Sequence, residues 1–234
     1  MLKNRLSQAA RACVENGQRL HEDAEWLGVE RSTTAVALCI LAQEDFAKAF
    51  LLHLICEGVI PWTGKVRESL YKHKYKQLVG IIMEWLSPSD DAFIARLGVG
   101  PDARTLPAHV ADAMKLYVEK VLPRGHISCP PAASDPIAMT VADGDRDKTK
   151  QDALYVRLSP DGEVLRIPSP VTAELVEAEL ERTKRFSELV GPLREGVLGP
   201  VFDYDLLVET MNFLLLDKRN RPFLLLKDSK FDGP

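Results

Sequence analysis

The sequence predicts a mainly α protein: an antiparallel bundle of helices with one small β-hairpin late in the chain. Apolar side chains recur at helical spacing through several long segments. The connections between the first of these segments are short, which favours antiparallel neighbours in a bundle. The hairpin is predicted where two runs of alternating character flank an Asp-Gly turn, in ALYVRLSPDGEVLRIP.

The first half of the chain contains three predicted helices. The first covers about residues 2–27 and is amphipathic. The second, about 34–56, is apolar on nearly all sides and is therefore expected at the centre of the bundle. The third, about 66–86, has five large side chains at 4-3-4-3 spacing that should face the core. These side chains are Tyr71, Tyr75, Leu78, Ile82 and Trp85.

The second half mixes helices with irregular chain. Helices are predicted at about 107–122 and 173–193, the latter with Thr172 as its N-cap. Residues 123–149 are rich in Pro, Gly and Asp, which predicts a long exposed loop, and the hairpin follows at about 153–168. We expect one domain over residues 1–195 and a C-terminal helical extension over 196–234.

Composition and charge exclude several functional classes. The 234 residues are 46% hydrophobic and 27% charged, as in an ordinary globular protein, and the net charge of -4 argues against a generic DNA-coating protein. The N-terminus lacks a secretory signal, and the longest apolar run, residues 35–42, is far shorter than the roughly 18 residues that span a bilayer. Four cysteines without C-x-x-C spacing indicate reduced thiols in a cytoplasmic protein. The short apolar run predicts no membrane association. Neither a phosphate-binding glycine loop nor a metal-ligand spacing is present, so we predict no cofactor and no metal.

A charged pair lies within the apolar second helix. Glu44 and Lys48 are one turn apart, on a face that also carries Ala37 and Leu41. Such residues are rarely buried unless paired. The pair is a buried ion pair that fixes helix register, a charged centre lining a cleft or a dimer seam, or a pair on the protein surface. Asp45 points about 100° away, where it could meet a cation of another helix.

A cationic stretch occupies residues 65–76. His73 and Lys76 share the helix face away from the core, and Lys72 flanks them. Arg67 would lie about 120° from His73 on a continuous helix. The stretch is either a solvated helix face or an anion site, in which these cations neutralise a phosphate and His73 acts as acid or base.

Three segments of the chain resemble the AbiV-type abortive infection family, which belongs to the HEPN superfamily. They are ALCILAQEDFAKAF, KHKYKQ and KTKQDALYVRLSPDGEVLRIPSPVTAELVEAEL, and the resemblance covers about residues 5–190. The family pattern of Glu-Glu-x-x-Lys, His-x-x-Lys and Lys-Gln-x-x-Leu-Tyr-Val is matched in order, with Asp45 in place of the second Glu. The matching residues are Glu44, Asp45, Lys48, His73, Lys76, Lys150, Gln151, Leu154, Tyr155 and Val156.

The resemblance implies a HEPN-like helical bundle and a bacterial, cytoplasmic antiphage protein that halts growth of the infected cell. Many HEPN proteins are metal-independent ribonucleases that dimerise to bring two Arg-x4-6-His motifs together. Arg67 and His73 have that spacing, although their angular offset on a continuous helix opposes a shared site. The resemblance therefore implies a homodimer with RNA as its substrate and leaves the enzymatic activity open.

Three functions remain open on the sequence. In a ribonuclease, His73 would transfer protons, Arg67 and Lys76 would stabilise the phosphorane charge with Lys72, and Glu44 with Lys48 would orient the site. In a non-enzymatic dimer formed through the second helix, the protein would block a phage protein or a host translation factor by contact. In a sensor, the basic patch would bind a nucleotide or small anion. The residues predicted to bind RNA or phosphate are Lys72, Lys74, Lys150 and Tyr155.

Overall fold

The mainly α class is confirmed by the structure, a computed structural model that describes residues 1–28, 33–86, 107–122, 136–168 and 171–191. These ranges contain eight helices and one two-stranded antiparallel sheet. The helices are α1 (Leu2–Gly28), α2 (Thr33–Cys56), α3 (Gly64–Ser69), α4 (His73–Leu86), α5 (Ala108–Val121), α6 (Pro136–Ala142), α7 (Asp145–Leu154) and α8 (Ala173–Val190). The strands are β1 (Arg157–Leu158) and β2 (Val164–Arg166).

Helix α2 forms the centre of the bundle, as its apolar sequence predicts. Most of its side chains are buried, and it packs against α1, α4, α7 and α8. Burial on all sides removes a large apolar area from water, which is the main force that holds this helix in place. Because its own chain covers most of α2, little of this helix among the described residues is left for the predicted dimer seam, which stays a prediction.

The close packing of α1 on α2 depends on Gly17. A Cβ atom at this position would lie 2.6 Å from the ring of Phe46, a side chain that is 0% exposed. The absence of a side chain at Gly17 therefore lets the two helix backbones approach around the Phe46 ring. Helices α1 and α8 begin where predicted, and the Thr172 hydroxyl accepts a hydrogen bond from the Leu175 amide at the start of α8.

The predicted third helix is divided into two. Helix α3 ends at Ser69 and α4 begins at His73, so residues 70–72 interrupt the helical path. Tyr71, predicted to face the core, is 77% exposed because it lies in this break. Leu78 and Ile82 are buried as predicted. The angular offset calculated between Arg67 and His73 does not apply, because the two residues lie on different helices.

The loop predicted over residues 123–149 is wrong for its second part, which forms α6 and the start of α7. The buried residues of helix α7, DRDKTKQDAL, are Lys150 and Ala153. The helix therefore has no apolar stripe. The hairpin is confirmed with shorter strands, since α7 continues to Leu154, and Gly162 adopts a φ of 85° in the turn. The predicted C-terminal extension, 196–234, lies outside the described residues.

Within the described ranges, no helix has both the length and the apolar character needed to cross a lipid bilayer.

Candidate functional site

The Glu44 carboxylate is the centre of a polar cluster inside the bundle. Its side chain is 3% exposed and projects from α2 toward the first turn of α4. Oε2 lies 2.5 Å from Nδ1 of His73 and 2.9 Å from Nζ of Lys76. Oε1 accepts a hydrogen bond of 3.0 Å from Nε2 of Gln77. Because residues three and four apart share a helix face, His73, Lys76 and Gln77 of α4 all reach the same carboxylate.

Helix α7 contributes the other half of the cluster. Nζ of Lys150 lies 3.2 Å from Oε1 of Glu44 and 3.0 Å from Nδ1 of His73. The same ammonium is 2.8 Å from Oδ1 of Asp147, one turn earlier on α7. Lys150 is only 7% exposed. The polar helix α7 is therefore attached to the bundle by charge at a position where an ordinary amphipathic helix would bury an apolar side chain.

The charges in this cluster are closely balanced, with two carboxylates facing two ammonium groups. Burial by itself raises the pKa of Glu44, because the charged form loses its hydration. The attraction of Lys76 and Lys150, with the hydrogen bonds from His73 and Lys76, outweighs that effect and lowers the pKa of Glu44 below its ordinary value. The carboxylate is thus ionised near neutral pH, as the ion pairs require.

The short contact between Glu44 and His73 determines which imidazole nitrogen carries the proton. An ionised carboxylate is only an acceptor, so Nδ1 at 2.5 Å must donate its hydrogen to Oε2. The ammonium of Lys150 is also a donor, and its 3.0 Å contact with Nδ1 is therefore not a hydrogen bond. In the neutral ring, the lone pair lies on Nε2, which has no partner among the described residues. The His73 side chain is 45% exposed, so a ligand can approach the ring.

A carboxylate that holds one imidazole nitrogen and leaves the other free is an arrangement suited to proton transfer. The buried acceptor fixes the ring orientation and the tautomer, and the free nitrogen can accept a proton from a bound molecule. The sequence pattern identified His73, Glu44 and Lys76 separately. The structure brings them together, and it places Lys76 inside the cluster at 8% exposure, not on a solvated helix face.

Lys48 does not form the predicted pair with Glu44. No ion pair joins the two side chains in the described part of the chain, and Nζ of Lys48 lies 5.8 Å from the centre of the Tyr71 ring. Glu44 is turned toward α4 and α7, which leaves Lys48 on the outer edge of α2. Asp45 accepts a hydrogen bond from the Asn16 amide of α1, where the sequence predicted a cation.

The remaining candidates lie outside the cluster. Arg67 stacks over Trp62, with its guanidinium carbon 6.0 Å from the ring centre, and has no contact with His73 among the described residues. Lys72 pairs with Glu68 on the surface. Two more of the predicted residues are Lys74 and Tyr155. Nζ of Lys74 lies 5.2 Å from the Tyr75 ring centre, and Tyr155 lies beyond the end of α7 and is 61% exposed.

A second polar network adjoins the first and was missed by the sequence analysis. Nε2 of Gln43 donates to Oγ1 of Thr183 at 2.8 Å and to Oε2 of Glu179 at 2.9 Å, both on α8. Nη2 of Arg146 on α7 donates to Oε1 of Gln43 and Oε2 of Glu179, each at 2.6 Å. Gln43 and Glu44 are adjacent residues of α2. The first connects helix α7 to α8, and the second connects helix α7 to α4.

The cluster also contains a set of atoms of the type that binds metal ions. Donor atoms of Glu44, His73 and Asp147 lie within 4.8 Å of one another. Asp147 and Gln77 were not predicted as site residues. Their only signal was position, since Asp147 is three residues before Lys150 and Gln77 is four residues after His73.

Comparison with known families identifies one match that covers most of the chain. The family model HEPN_AbiV, described as AbiV, matches residues 5–188 of the 234. The matched range includes every residue of the Glu44 cluster. No curated protein and no solved structure matches the chain.

Proposed function

The chain belongs to the AbiV family of HEPN proteins, and on that premise we propose that it is an endoribonuclease of antiphage abortive infection that works without a metal ion. The family suggests the defence role, in which an infected cell stops growing. The observation that supports the catalytic part is the contact of Nδ1 of His73 with the buried Glu44, which leaves Nε2 without a partner among the described residues.

RNA cleavage suits this geometry because the substrate carries its own nucleophile. Nε2 of His73 would take the proton of a ribose 2′-hydroxyl, and the oxygen would then attack the adjacent phosphorus. The bond to the 5′-oxygen would break, leaving a 2′,3′-cyclic phosphate on one product and a protonated 5′-hydroxyl on the other. No metal ion is needed for this sequence of bond changes.

The cations around His73 would divide into two roles. Lys72 and Lys74 adjoin His73 in sequence, are exposed, and would bind the phosphate or stabilise its developing charge. Lys76 is buried against Glu44 and would orient the carboxylate. The homodimer implied by the family would bring two His73 rings to one RNA strand, so that one acts as base and the other protonates the leaving oxygen.

The test is a cleavage assay with purified protein and total RNA under conditions that activate the defence. We expect wild type to produce fragments with 2′,3′-cyclic phosphate ends and His73→Ala to leave the RNA intact. His109→Ala is the matched control, because His109 is a partly exposed histidine of α5 outside the cluster. If wild type and His73→Ala leave the RNA equally intact, the ribonuclease proposal is refuted.

The β-hairpin supports a second candidate function, in which the protein blocks a phage protein or host translation factor by binding. Six large apolar side chains between the end of α7 and the start of α8 are 54% to 63% exposed. Exposed apolar groups at this density are typical of interaction surfaces. They are Tyr155, Val156, Leu158, Val164, Leu165 and Ile167.

The two candidates differ in which substitution removes phage protection. If the protein acts by binding alone, Leu165→Glu should abolish protection and pull-down of the partner, while His73→Ala retains both. If it acts as a ribonuclease, His73→Ala should abolish protection even when size-exclusion chromatography shows unchanged assembly.

A further inference from the structure

The ammonium group of Lys150 occupies the centre of the metal-ligand set formed by Glu44, His73 and Asp147. Its distances to the nearest donor atoms of these residues are 3.2, 3.0 and 2.8 Å. The three donors come from three different helices, α2, α4 and α7, and converge on one point. A single cation therefore already lies where a divalent ion would make its bonds.

The contacts of the Asp147 carboxylate indicate that attraction between charges holds Lys150 among the three ligands. Its Oδ2 accepts a hydrogen bond of 2.8 Å from the Gln151 amide. Its Oδ1 is buried and lacks a hydrogen-bond partner among the described residues, although Nζ of Lys150 is 2.8 Å away. An oxygen that faces a cation without hydrogen-bond geometry is held by charge alone, and a metal ion satisfies such an oxygen equally well.

We propose that Glu44, His73 and Asp147 form a latent site for a divalent transition-metal ion, and that Lys150 excludes the ion by occupying its position. One imidazole nitrogen and two carboxylate oxygens are ligands suited to Zn²⁺ or Co²⁺. Because such ions bind these atoms at about 2.0–2.2 Å, the ligands would have to move inward by roughly 1 Å once the ammonium has left.

Charge explains why the ion and Lys150 exclude each other. Lys76 and Lys150 together balance the two carboxylates, so a dication added to this buried cluster would leave two uncompensated positive charges, against one if Lys150 is absent. A metal ion bound at this site would also need the lone pair of Nδ1 of His73. The ring proton would then have to move to Nε2. By excluding the ion, Lys150 keeps the free nitrogen of His73 able to accept a proton, and this consequence alone rests on the proposed ribonuclease function.

The experiment is a titration with Co²⁺, followed by its visible absorption, of wild type and Lys150→Ala in the absence of RNA. We expect Lys150→Ala to bind Co²⁺ at least about tenfold more tightly than wild type. Lys148→Ala is the matched control, because it removes an exposed lysine of the same helix and should behave as wild type. Adding His73→Ala to Lys150→Ala should abolish the gain, since it removes the only nitrogen ligand of the set.

A second variant keeps the proposal testable if Lys150→Ala does not fold. Lys150→Gln retains much of the aliphatic stem and should also gain Co²⁺ binding, with a rise in thermal unfolding temperature when the ion is present. The proposal is overturned if a folded Lys150 variant binds no more tightly than wild type, or if the gain survives His73→Ala. Both readouts are independent of RNA cleavage, so failure of the ribonuclease proposal leaves this test intact.

Discussion

Glu44→Gln removes a negative charge from the most buried ionised group of the cluster while keeping the size of the side chain. The wild-type carboxylate is 3% exposed and lies 2.9 Å from Nζ of Lys76 and 3.2 Å from Nζ of Lys150. After the substitution, the two ammonium groups remain buried with Asp147 as the nearby counter-charge to Lys150. Lys76 is then the cation that loses its partner in the cluster.

The size of the effect follows from that imbalance. Removing one partner of a buried ion pair costs about 3–5 kcal/mol, because the other charge stays desolvated and uncompensated. The glutamine amide can still accept one hydrogen bond, and Lys150 keeps Asp147, so the lower end applies. We expect the free energy of unfolding to fall by about 3 kcal/mol near neutral pH.

The assay is urea unfolding of wild type and Glu44→Gln over a range of pH. The folded state holds the pKa of Glu44 below its ordinary value of 4.5, so the carboxylate contributes its stabilisation above 4.5 and loses it as the pH falls through the folded-state pKa. The difference between the two proteins should therefore be largest near neutral pH and should shrink below pH 4.5.

Two results would refute this reasoning. One is a difference near neutral pH smaller than about 0.5 kcal/mol, the size expected of an ordinary surface substitution. The other is a difference that does not change as the solution is acidified. Glu68→Gln is the control, because Glu68 pairs with Lys72 on the surface and its loss should leave the unfolding midpoint unchanged.

Two further predictions concern helix packing at Gly17 and the position of Arg67 outside the cluster. Gly17→Ala should lower the free energy of unfolding by about 1–3 kcal/mol, because the new methyl group meets the Phe46 ring at 2.6 Å; a more stable variant in urea unfolding would show that helix propensity prevails over packing. Arg67→Ala should change stability by less than about 0.5 kcal/mol, since Arg67 is exposed and stacks on Trp62; a larger loss in thermal unfolding would contradict its placement outside the cluster.

The helices that were predicted well are those whose burial is apolar. Helices α1, α2, α5 and α8 have apolar side chains at helical spacing, and their bounds differ from the predicted ones by at most a few residues. The first half of helix α7 was assigned to a loop, because its buried face contains Lys150, whose burial depends on a carboxylate elsewhere in the chain. The break between α3 and α4 was missed because no Gly or Pro marks residues 70–72.

The sequence by itself determined the fold class, the central position of α2 and the residue types of the site. Helical periodicity relates residues three or four apart, so it could suggest Glu44 with Lys48 and His73 with Lys76 but could not choose between helices. Only the tertiary structure decided that Glu44 meets His73, 29 residues away, and Lys150, 106 residues away. The physical reason is that a buried carboxylate needs counter-charges, and the packing of the whole bundle decides which cations lie beside it.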